Sequence, residues 1–137
     1  MKTGKIQTVV AVFIKDGSLL MEQRSKERKV YPGFLMCPSG HVQEEETFDQ
    51  AFKREMEEEL GIKIKRTKHL FSIEDTDPHS KLSFNHNFML IESFGGKVEV
   101  SKEATMLKWM TYKEAKKEGL VLIVEKLLNR LHNMKLI

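Results

Sequence analysis

Residues 40–62 of the chain read GHVQEEETFDQAFKREMEEELGI, and the interpretation of the whole sequence starts from this stretch. Thr47 and Gln50 stand three residues apart, which is the spacing of a capping box at the start of a helix. Gly61 is typical of the position just after a helix, because glycine readily adopts the left-handed backbone that ends one. The stretch therefore predicts a helix that begins at Phe48 and stops at Gly61.

The acidic residues of this helix are not spread evenly around its axis. Successive helical residues are rotated by about 100°, so Glu55, Glu58 and Glu59 fall within one arc of about 100°. The arc borders the predicted buried stripe, which consists of Phe48, Phe52 and Met56. Carboxylates gathered there repel one another and are costly to desolvate unless a cation lies among them. The pattern indicates a site for a hard divalent cation such as Mg²⁺, whereas Glu57 faces solvent on the opposite side.

The same stretch resembles the Nudix box, Gly-x5-Glu-x7-Arg-Glu-U-x-Glu-Glu-x-Gly-U, in which U is a bulky aliphatic residue. All nine defined positions are matched, by Gly40, Glu46, Arg54, Glu55, Met56, Glu58, Glu59, Gly61 and Ile62. The glycine pair of many members is Ser39-Gly40 here, so the chain departs from the family pattern at residue 39. The resemblance implies a single Nudix hydrolase domain over residues 1–137. The implied fold is an α/β, three-layer α/β/α sandwich with a mixed β-sheet.

The resemblance also implies a role for each box residue. A divalent metal, Mg²⁺ or Mn²⁺, is expected to be held by the carboxylates of Glu55, Glu58 and Glu59 and the backbone carbonyl of Ser39. Arg54 is then expected to orient these carboxylates by ion pairing, while Glu46 and Gly40 support the geometry of the cluster. The metal would polarise phosphorus and activate a water molecule, so the implied reaction is hydrolysis of a diphosphate bond.

The reaction needs a carboxylate that takes a proton from the attacking water. Family members place this base either among the box glutamates, here Glu55 or Glu58, or on a loop before the strand that carries a late tryptophan. Glu103 stands six residues before Trp109, so both alternatives stay open, as does an ordinary surface role for Glu103. Arg24 resembles the family's arginine that faces substrate phosphates, and a structural ion pair is the competing interpretation.

The resemblance predicts a small-molecule nucleotide as the substrate. The first interpretation is a (d)NTP of the 8-oxo-dGTP or related housecleaning kind, cleaved to a monophosphate. ADP-ribose or another nucleoside diphosphate conjugate is the alternative, since Pro78 falls sixteen residues after Ile62, close to the spacing in ADP-ribose-cleaving members. A third interpretation, from another class, is a catalytically silent module that binds a nucleotide. Isomerase activity like that of isopentenyl diphosphate isomerase is not expected, because Ser39 stands where that enzyme has its catalytic cysteine.

Composition and charge limit the class of protein. The 137 residues suffice for one domain, and 40% hydrophobic with 31% charged residues is typical of a soluble globular protein. A net charge of +3 with scattered basic residues does not predict binding to a nucleic-acid polymer. No apolar run approaches the roughly 18 residues of a membrane span, so no membrane partner is expected. Cys37 is the single cysteine, which fits a cytoplasmic protein, and the family resemblance allows a homodimer.

Apolar alternation and turn residues predict the remaining elements. Strands are expected at residues 6–14, 18–23, 62–73, 81–92, 97–100 and 106–110, with loops at 24–30 and 74–80. Thr111 and Glu114 form a second capping box, before a short helix that ends near Gly119, and residues 120–131 predict a closing amphipathic helix. His86 lies on an apolar strand face, which favours a core histidine, and for Trp109 core packing is favoured over stacking on a base.

Overall fold

The computed structural model describes residues 4–99 and 104–137, without the side chains of residues 104 and 105. In these ranges the strands and helices follow one another as β1 (Ile6–Val12), β2 (Ile14–Lys15), β3 (Ser18–Arg24), β4 (Leu35–Met36), β5 (Ser39–His41), α1 (Phe48–Leu60), β6 (Lys63–Thr76), β7 (Ser83–Gly95), β8 (Ala104–Met110), α2 (Tyr112–Lys116) and α3 (Leu122–Asn133). None of these helices is both long enough and apolar enough to cross a membrane.

The strands form two four-stranded sheets. The first has the order β5-β1-β7-β6, in which β1 runs parallel to β7 while the other neighbours are antiparallel. In the second, β3 pairs antiparallel with β2, β4 and β8. The parallel β1–β7 pair makes the first sheet mixed, which confirms that part of the predicted fold.

Helices cover both faces of strand β1. Val9 and Ala11 belong to the buried cluster that includes α1, whereas Val10 and Val12 belong to the buried cluster that includes α3. The helix side chains in these clusters include Phe52, Met56 and Leu60 from α1 and Leu127, Leu128 and Leu131 from α3. Because consecutive side chains of a strand point to opposite faces, β1 lies between the two helices. This confirms the predicted three-layer α/β/α arrangement.

The ends of α1 are set by the predicted capping residues. The Thr47 hydroxyl accepts the Gln50 backbone N–H at 3.1 Å, and the Gln50 side chain accepts the Thr47 backbone N–H at 2.9 Å. At the other end Gly61 has a φ of 69°, and its N–H donates to the carbonyl of Glu57 at 3.0 Å. The helix therefore spans Phe48–Leu60, and the sequence prediction of its bounds is confirmed.

Phe48 is the residue at which the predicted helix face is wrong. Its side chain is 38% exposed and stacks on the ring of His69, with ring centroids 6.0 Å apart. The buried residues of the helix are Ala51, Phe52, Met56 and Leu60. Phe48 stands in the first turn and stacks on the edge strand β6, so it lies at the rim of the sheet and outside the buried clusters.

The strand predictions need two corrections between residues 39 and 85. Residues 74–76, predicted as a loop, continue β6 and pair with residues 83–85 of β7. Residues 39–41, for which no strand was predicted, form β5 and pair with residues 8–10 of β1. Both pairings join segments that local alternation does not connect, so the sequence pattern shows neither.

The segment after β7 closes the helix. Residues 97–99, predicted to begin a strand, lie outside any strand, and residue 100 lies outside the described residues. The Glu99 N–H donates to the carbonyl of Leu60 at 2.8 Å and so satisfies the carboxyl end of α1. The two C-terminal helices are confirmed, although α2 ends at Lys116, before the predicted Gly119.

Thr47→Ala removes the hydroxyl that caps α1, so the free energy of unfolding is expected to fall by about 1 kcal/mol. Thr47→Ser keeps the hydroxyl and is the matched control, with an expected loss of only a few tenths of a kcal/mol. Urea denaturation followed by circular dichroism measures both variants. Equal losses would show that the cap does not stabilise the helix.

Candidate active site

The carboxylate of Glu55 packs directly against Gly40. Strand β5 holds Gly40 opposite Val9 of β1. A Cβ atom at residue 40 would lie 2.0 Å from Cδ and 2.2 Å from Oε2 of Glu55. Any other residue at position 40 would displace this carboxylate, whose side chain is only 12% exposed. The close approach of the Glu55 carboxylate therefore requires the glycine.

The guanidinium of Arg54 lies at the centre of the site. Its Nε and Nη2 donate to the two carboxylate oxygens of Glu46, each at 2.8 Å, in the bidentate geometry that favours arginine. Its Nη1 donates to Oε1 of Glu55 at 2.7 Å, and Nη2 also donates to the backbone carbonyl of His41 at 3.0 Å. Arg54 thus joins helix α1, strand β5 and the turn before the helix.

Glu46 is held in its ionised form. The hydrogen bonds from Arg54 and from the backbone N–H of Gln43, the latter 2.8 Å long, lower the pKa of Glu46 to about 2. The same ion pair, with a smaller contribution from Glu55, raises the pKa of Arg54. At neutral pH both partners carry their full charge, and the guanidinium has a fixed orientation.

The remaining glutamates of α1 differ in exposure. Glu57 is exposed, as its predicted face requires, and Glu59 is half-buried. The Glu58 side chain is 59% exposed, with Oε2 3.5 Å from Nη1 of Arg54. Glu58 was predicted to lie beside the buried stripe of the helix, and in the structure its side chain is more exposed to solvent than that position implies.

The cation among these carboxylates in the structure is Arg54. Its Nη1 lies between Glu55 and Glu58, at 2.7 and 3.5 Å. Within residues 4–99 and 104–137, no group of three His, Cys, Asp or Glu side chains is arranged to hold a metal ion. The donors nonetheless suit a hard divalent cation, because they are carboxylate oxygens near one helix face, and Gly40 lets the Glu55 carboxylate lie against strand β5.

A cavity of about 340 Å³ opens beside Ser39 and Gly40. Three cationic side chains line it, those of Arg24, Arg28 and Lys29, and none of the described lining residues carries a carboxylate. The apolar and aromatic part of the lining comes from Val30, Tyr31, Met36, Leu82 and Phe84. The combination favours a ligand that has both an anionic group and an apolar or aromatic group.

Arg24 combines features of its two predicted roles. Its side chain is buried, and Nε donates to the carbonyl of Val30 at 2.9 Å, which holds the following loop. It also lines the cavity, so a ligand there would lie beside its charge. A structural hydrogen bond and a substrate contact are therefore compatible in this residue.

His41 connects the cavity to the cluster around Arg54. Burial lowers the pKa of His41, and the charges of Arg28, Arg24 and His86 lower it further. The imidazole is consequently neutral at physiological pH, with one nitrogen free to donate and the other to accept. Its ring packs near Phe84, with centroids 6.3 Å apart.

The other predicted residues lie elsewhere. Glu103 lies outside the described residues. Trp109 is 40% exposed and packs edge-on against Phe13, with centroids 5.2 Å apart, so the favoured core position is wrong for this residue. His86 is buried as predicted, yet it also lines the cavity. Tyr31 and Phe84 also line the cavity and were not predicted as site residues. The sequence signal for this part of the site was the imidazole of His86 among apolar residues of β7.

The fold and the carboxylate cluster on α1 can be compared with those of known protein families. The family profile of the NUDIX domain matches residues 5–131. The chain therefore belongs to the Nudix family, and the sequence prediction of the family is confirmed.

Two curated relatives show how the similarity is distributed. The 8-oxo-dGTP diphosphatase of Buchnera aphidicola subsp. Schizaphis graminum is 30% identical over 102 residues, which cover 74% of each chain. The isopentenyl-diphosphate Delta-isomerase of Salmonella paratyphi B is 36% identical over 72 residues, which cover 50% of this chain and 40% of that protein. The chain thus matches less than half of the length of the isomerase.

Solved structures share the fold. The MutT protein of Methanosarcina mazei Go1 superposes with a TM-score of 0.84 at 18% identity, over 98% of each chain. The NUDIX domain of Shewanella oneidensis NrtR, solved with ADP ribose, superposes with a TM-score of 0.72 at 15% identity, over 97% of this chain and 90% of that one. At these identities the likeness concerns the fold alone.

The lowered pKa of Glu46 depends on Arg54, so Arg54→Gln is expected to raise it from about 2 toward the ordinary carboxyl range. Since the folded-state pKa is depressed, the ion pair stabilises the fold above the unfolded pKa and is lost as pH falls through about 2. Carbon-detected NMR titration of the glutamate carboxyls measures the shift. Lys53→Gln removes an exposed positive charge from the same helix and should leave Glu46 unchanged. An unaltered Glu46 titration in Arg54→Gln would contradict the assignment.

Proposed function

We propose that this Nudix protein is a Mg²⁺-dependent pyrophosphohydrolase that cleaves a diphosphate bond in a nucleotide. The observation that carries the proposal is the contact of Glu55 with Gly40, a residue that also lines the cationic cavity. An acidic cluster and a site for an anionic ligand therefore adjoin each other. A divalent cation is the natural bridge between carboxylates and phosphate oxygens.

The metal, Mg²⁺ or Mn²⁺, would be held by Glu55, Glu58, Glu59 and the carbonyl of Ser39. When bound, it supplies charge for the phosphate oxygens and lowers the pKa of a water molecule. Arg54 keeps the Glu55 carboxylate in place through the 2.7 Å hydrogen bond. Its longer 3.5 Å contact with Glu58 leaves that carboxylate able to turn. Glu46 fixes the direction of the guanidinium.

One of two carboxylates is proposed to accept the proton of the attacking water. Glu58 is 59% exposed and therefore accessible to water. Glu103 lies outside the described residues and stays a candidate because it stands six residues before Trp109 in the sequence. Arg24 at the cavity wall would bind the substrate phosphates.

The proposed substrate is a (d)NTP of the 8-oxo-dGTP or related housecleaning kind, hydrolysed to a monophosphate. Two observations support this choice: the similarity to the Buchnera 8-oxo-dGTP diphosphatase, and a cavity that combines aromatic walls with cations. ADP-ribose or another nucleoside diphosphate conjugate is the second candidate. It is favoured by the turn that contains Pro78, because Leu82 at the end of that turn lines the cavity, and by the ADP ribose bound to the similarly folded NrtR domain.

The setting we propose is the cytoplasm, with a small molecule as the partner, and the family resemblance allows a homodimer. Cys37 is buried, and burial, with the charge of Glu22, raises the pKa of its thiol to about 12. Such a thiol is unreactive, which is compatible with a reducing compartment. The net charge of +3 does not favour a nucleic-acid polymer as partner.

Glu58→Gln and Glu59→Gln are each expected to lower kcat by about 100-fold or more, because the amide removes a charge that binds the metal. Glu57→Gln is the matched control, since it makes the same change at an exposed residue, and its kcat should stay within a few-fold of wild type. Phosphate release with Mg²⁺ is measured on dNTPs, 8-oxo-dGTP, ADP-ribose, dinucleoside polyphosphates and coenzyme A. Comparable losses in all three variants would refute the assignment of helix faces. Nucleotide binding without turnover by the wild type would favour the silent module.

Gly40→Ala puts a methyl group where the Glu55 carboxylate lies, so kcat is expected to fall by about 100-fold while the fold is retained. Gly119→Ala is the matched control, because a Cβ atom there meets nothing within 4 Å, and it should hydrolyse the substrate at the wild-type rate. Steady-state kinetics and circular dichroism compare the two. Full activity in Gly40→Ala would exclude the Glu55 position as a requirement of catalysis.

A further inference from the structure

Tyr31 has an unusual backbone in the loop that forms one side of the cavity. The loop of residues 25–34 is closed at its base by hydrogen bonds from Arg24 N–H to the Phe34 carbonyl, 2.9 Å, and from Gly33 N–H to the Ser25 carbonyl, 3.2 Å. Within it Tyr31 has a φ of +46°, in the left-handed region that bulky residues avoid. Surrounding contacts must enforce this conformation, and such residues cluster at binding sites.

Two carboxylates from the far end of β6 hold Tyr31. Its hydroxyl donates to Oδ2 of Asp75 at 2.5 Å, and the carboxylate of Asp77 accepts its backbone N–H. Asp77 is completely buried, and it also accepts the N–H groups of His79 and Ser80, at 3.2 and 3.0 Å. Tyr31 therefore links the 25–34 loop to the turn of residues 77–82.

Asp75 has a second neighbour that faces the cavity. Nε2 of His86 lies 3.7 Å from Oδ2 of Asp75, while Nδ1 is 2.6 Å from the hydroxyl of Thr8. Burial alone would raise the pKa of Asp75, but His86 and the Tyr31 hydroxyl outweigh it and lower this pKa below its usual value. Burial and Asp75 also raise the pKa of Tyr31, so its hydroxyl keeps the proton that it donates.

These contacts set the shape of the cavity wall. Tyr31, His86 and Thr8 line the same cavity as Ser39 and Gly40. The 25–34 loop contributes Arg28 and Lys29 to the cavity as well, so the position of the loop determines where those two charges stand. The Arg54 cluster consists of Arg54 and the groups that accept its hydrogen bonds, which are the carboxylates of Glu46, Glu55 and Glu58 and the carbonyl of His41. Neither Tyr31 nor Asp75 belongs to it.

We propose that Tyr31 is a positioning residue for substrate binding, whose hydrogen bond to Asp75 holds the 25–34 loop in the shape that accepts the organic part of the nucleotide. The inference rests on the proposed function, because it assigns the cavity to the substrate of that reaction. Loss of the bond weakens binding of the ground state and of the transition state alike, since the Arg54 cluster is untouched. Such a loss raises KM and leaves kcat nearly unchanged.

Tyr31→Phe removes only the hydroxyl, and its KM for 8-oxo-dGTP or ADP-ribose is expected to rise at least about fivefold, with kcat within twofold. Tyr112→Phe is the matched control, because its hydroxyl donates to Asn129 at 2.9 Å on the exposed surface of the C-terminal helices. It should change neither constant. An unchanged KM in Tyr31→Phe, or a loss confined to kcat, would overturn the inference.

Binding measured without turnover separates this inference from the proposed function. Calorimetry with α,β-methylene-dGTP and α,β-methylene-ADP-ribose should give a Kd at least about fivefold higher for Tyr31→Phe than for wild type and Tyr112→Phe. If the wild-type protein binds an analogue but hydrolyses no diphosphate, the proposed hydrolase function is refuted. The comparison of Kd values still decides the role of Tyr31 in that case. If Tyr31→Phe does not fold, Asp75→Asn, which replaces the charged acceptor by a neutral one, is judged by the same Kd and KM criteria. Equal Kd values would overturn the inference.

Discussion

The bidentate ion pair between Arg54 and Glu46 is the interaction on which the geometry of the site depends. It fixes the plane of a guanidinium whose remaining N–H groups reach Glu55, Glu58 and the carbonyl of His41. Carboxylates this close together repel one another, and a partly buried arrangement is stable only because a permanent positive charge lies among them. An arginine serves this purpose better than a lysine, because its fork contacts several acceptors in fixed directions.

Strand β5 divides the site into an acidic part and a cationic part. The backbone carbonyl of His41 binds Arg54 on one side. The His41 side chain lines the cavity on the other side, where burial and then the charges of Arg28 and Arg24 lower its pKa. The preceding residue, Gly40, has no side chain, so the Glu55 carboxylate lies close to the strand. Gly40 and His41, which are consecutive in β5, thus place a carboxylate cluster next to a cavity that favours anions, and a metal-bound phosphate would bridge these two parts.

The acidic part and the proposed role of Arg24 could be predicted from the sequence, whereas the cavity that Arg24 lines could not. The helix bounds and the exposed face of Glu57 follow from periodicity and capping within 23 residues, so neighbours along the chain determine them. Phe48 was misplaced because periodicity does not show where a helix passes the edge of a sheet. The cavity depends on Tyr31 meeting Asp75, 44 residues away, and on β6 continuing to Thr76. No pattern in a single sequence connects such segments.

Local sequence patterns determine the acidic part, whereas contacts between distant segments determine the cavity. Substrate choice can therefore vary within the fold through changes in those distant contacts. The groups assigned to metal binding stand on a capped helix and a paired strand, where a change of loop conformation does not move them. The groups that shape the cavity stand on the 25–34 loop and the 77–82 turn, joined through a tyrosine and two aspartates. Because these loop contacts do not include the Arg54 cluster, substitutions in the loops can alter which organic group is accepted while the arrangement for diphosphate cleavage is kept. In the proposed function, specificity is therefore a property of long-range loop packing, whereas metal binding is a property of one helix and the strand beside it.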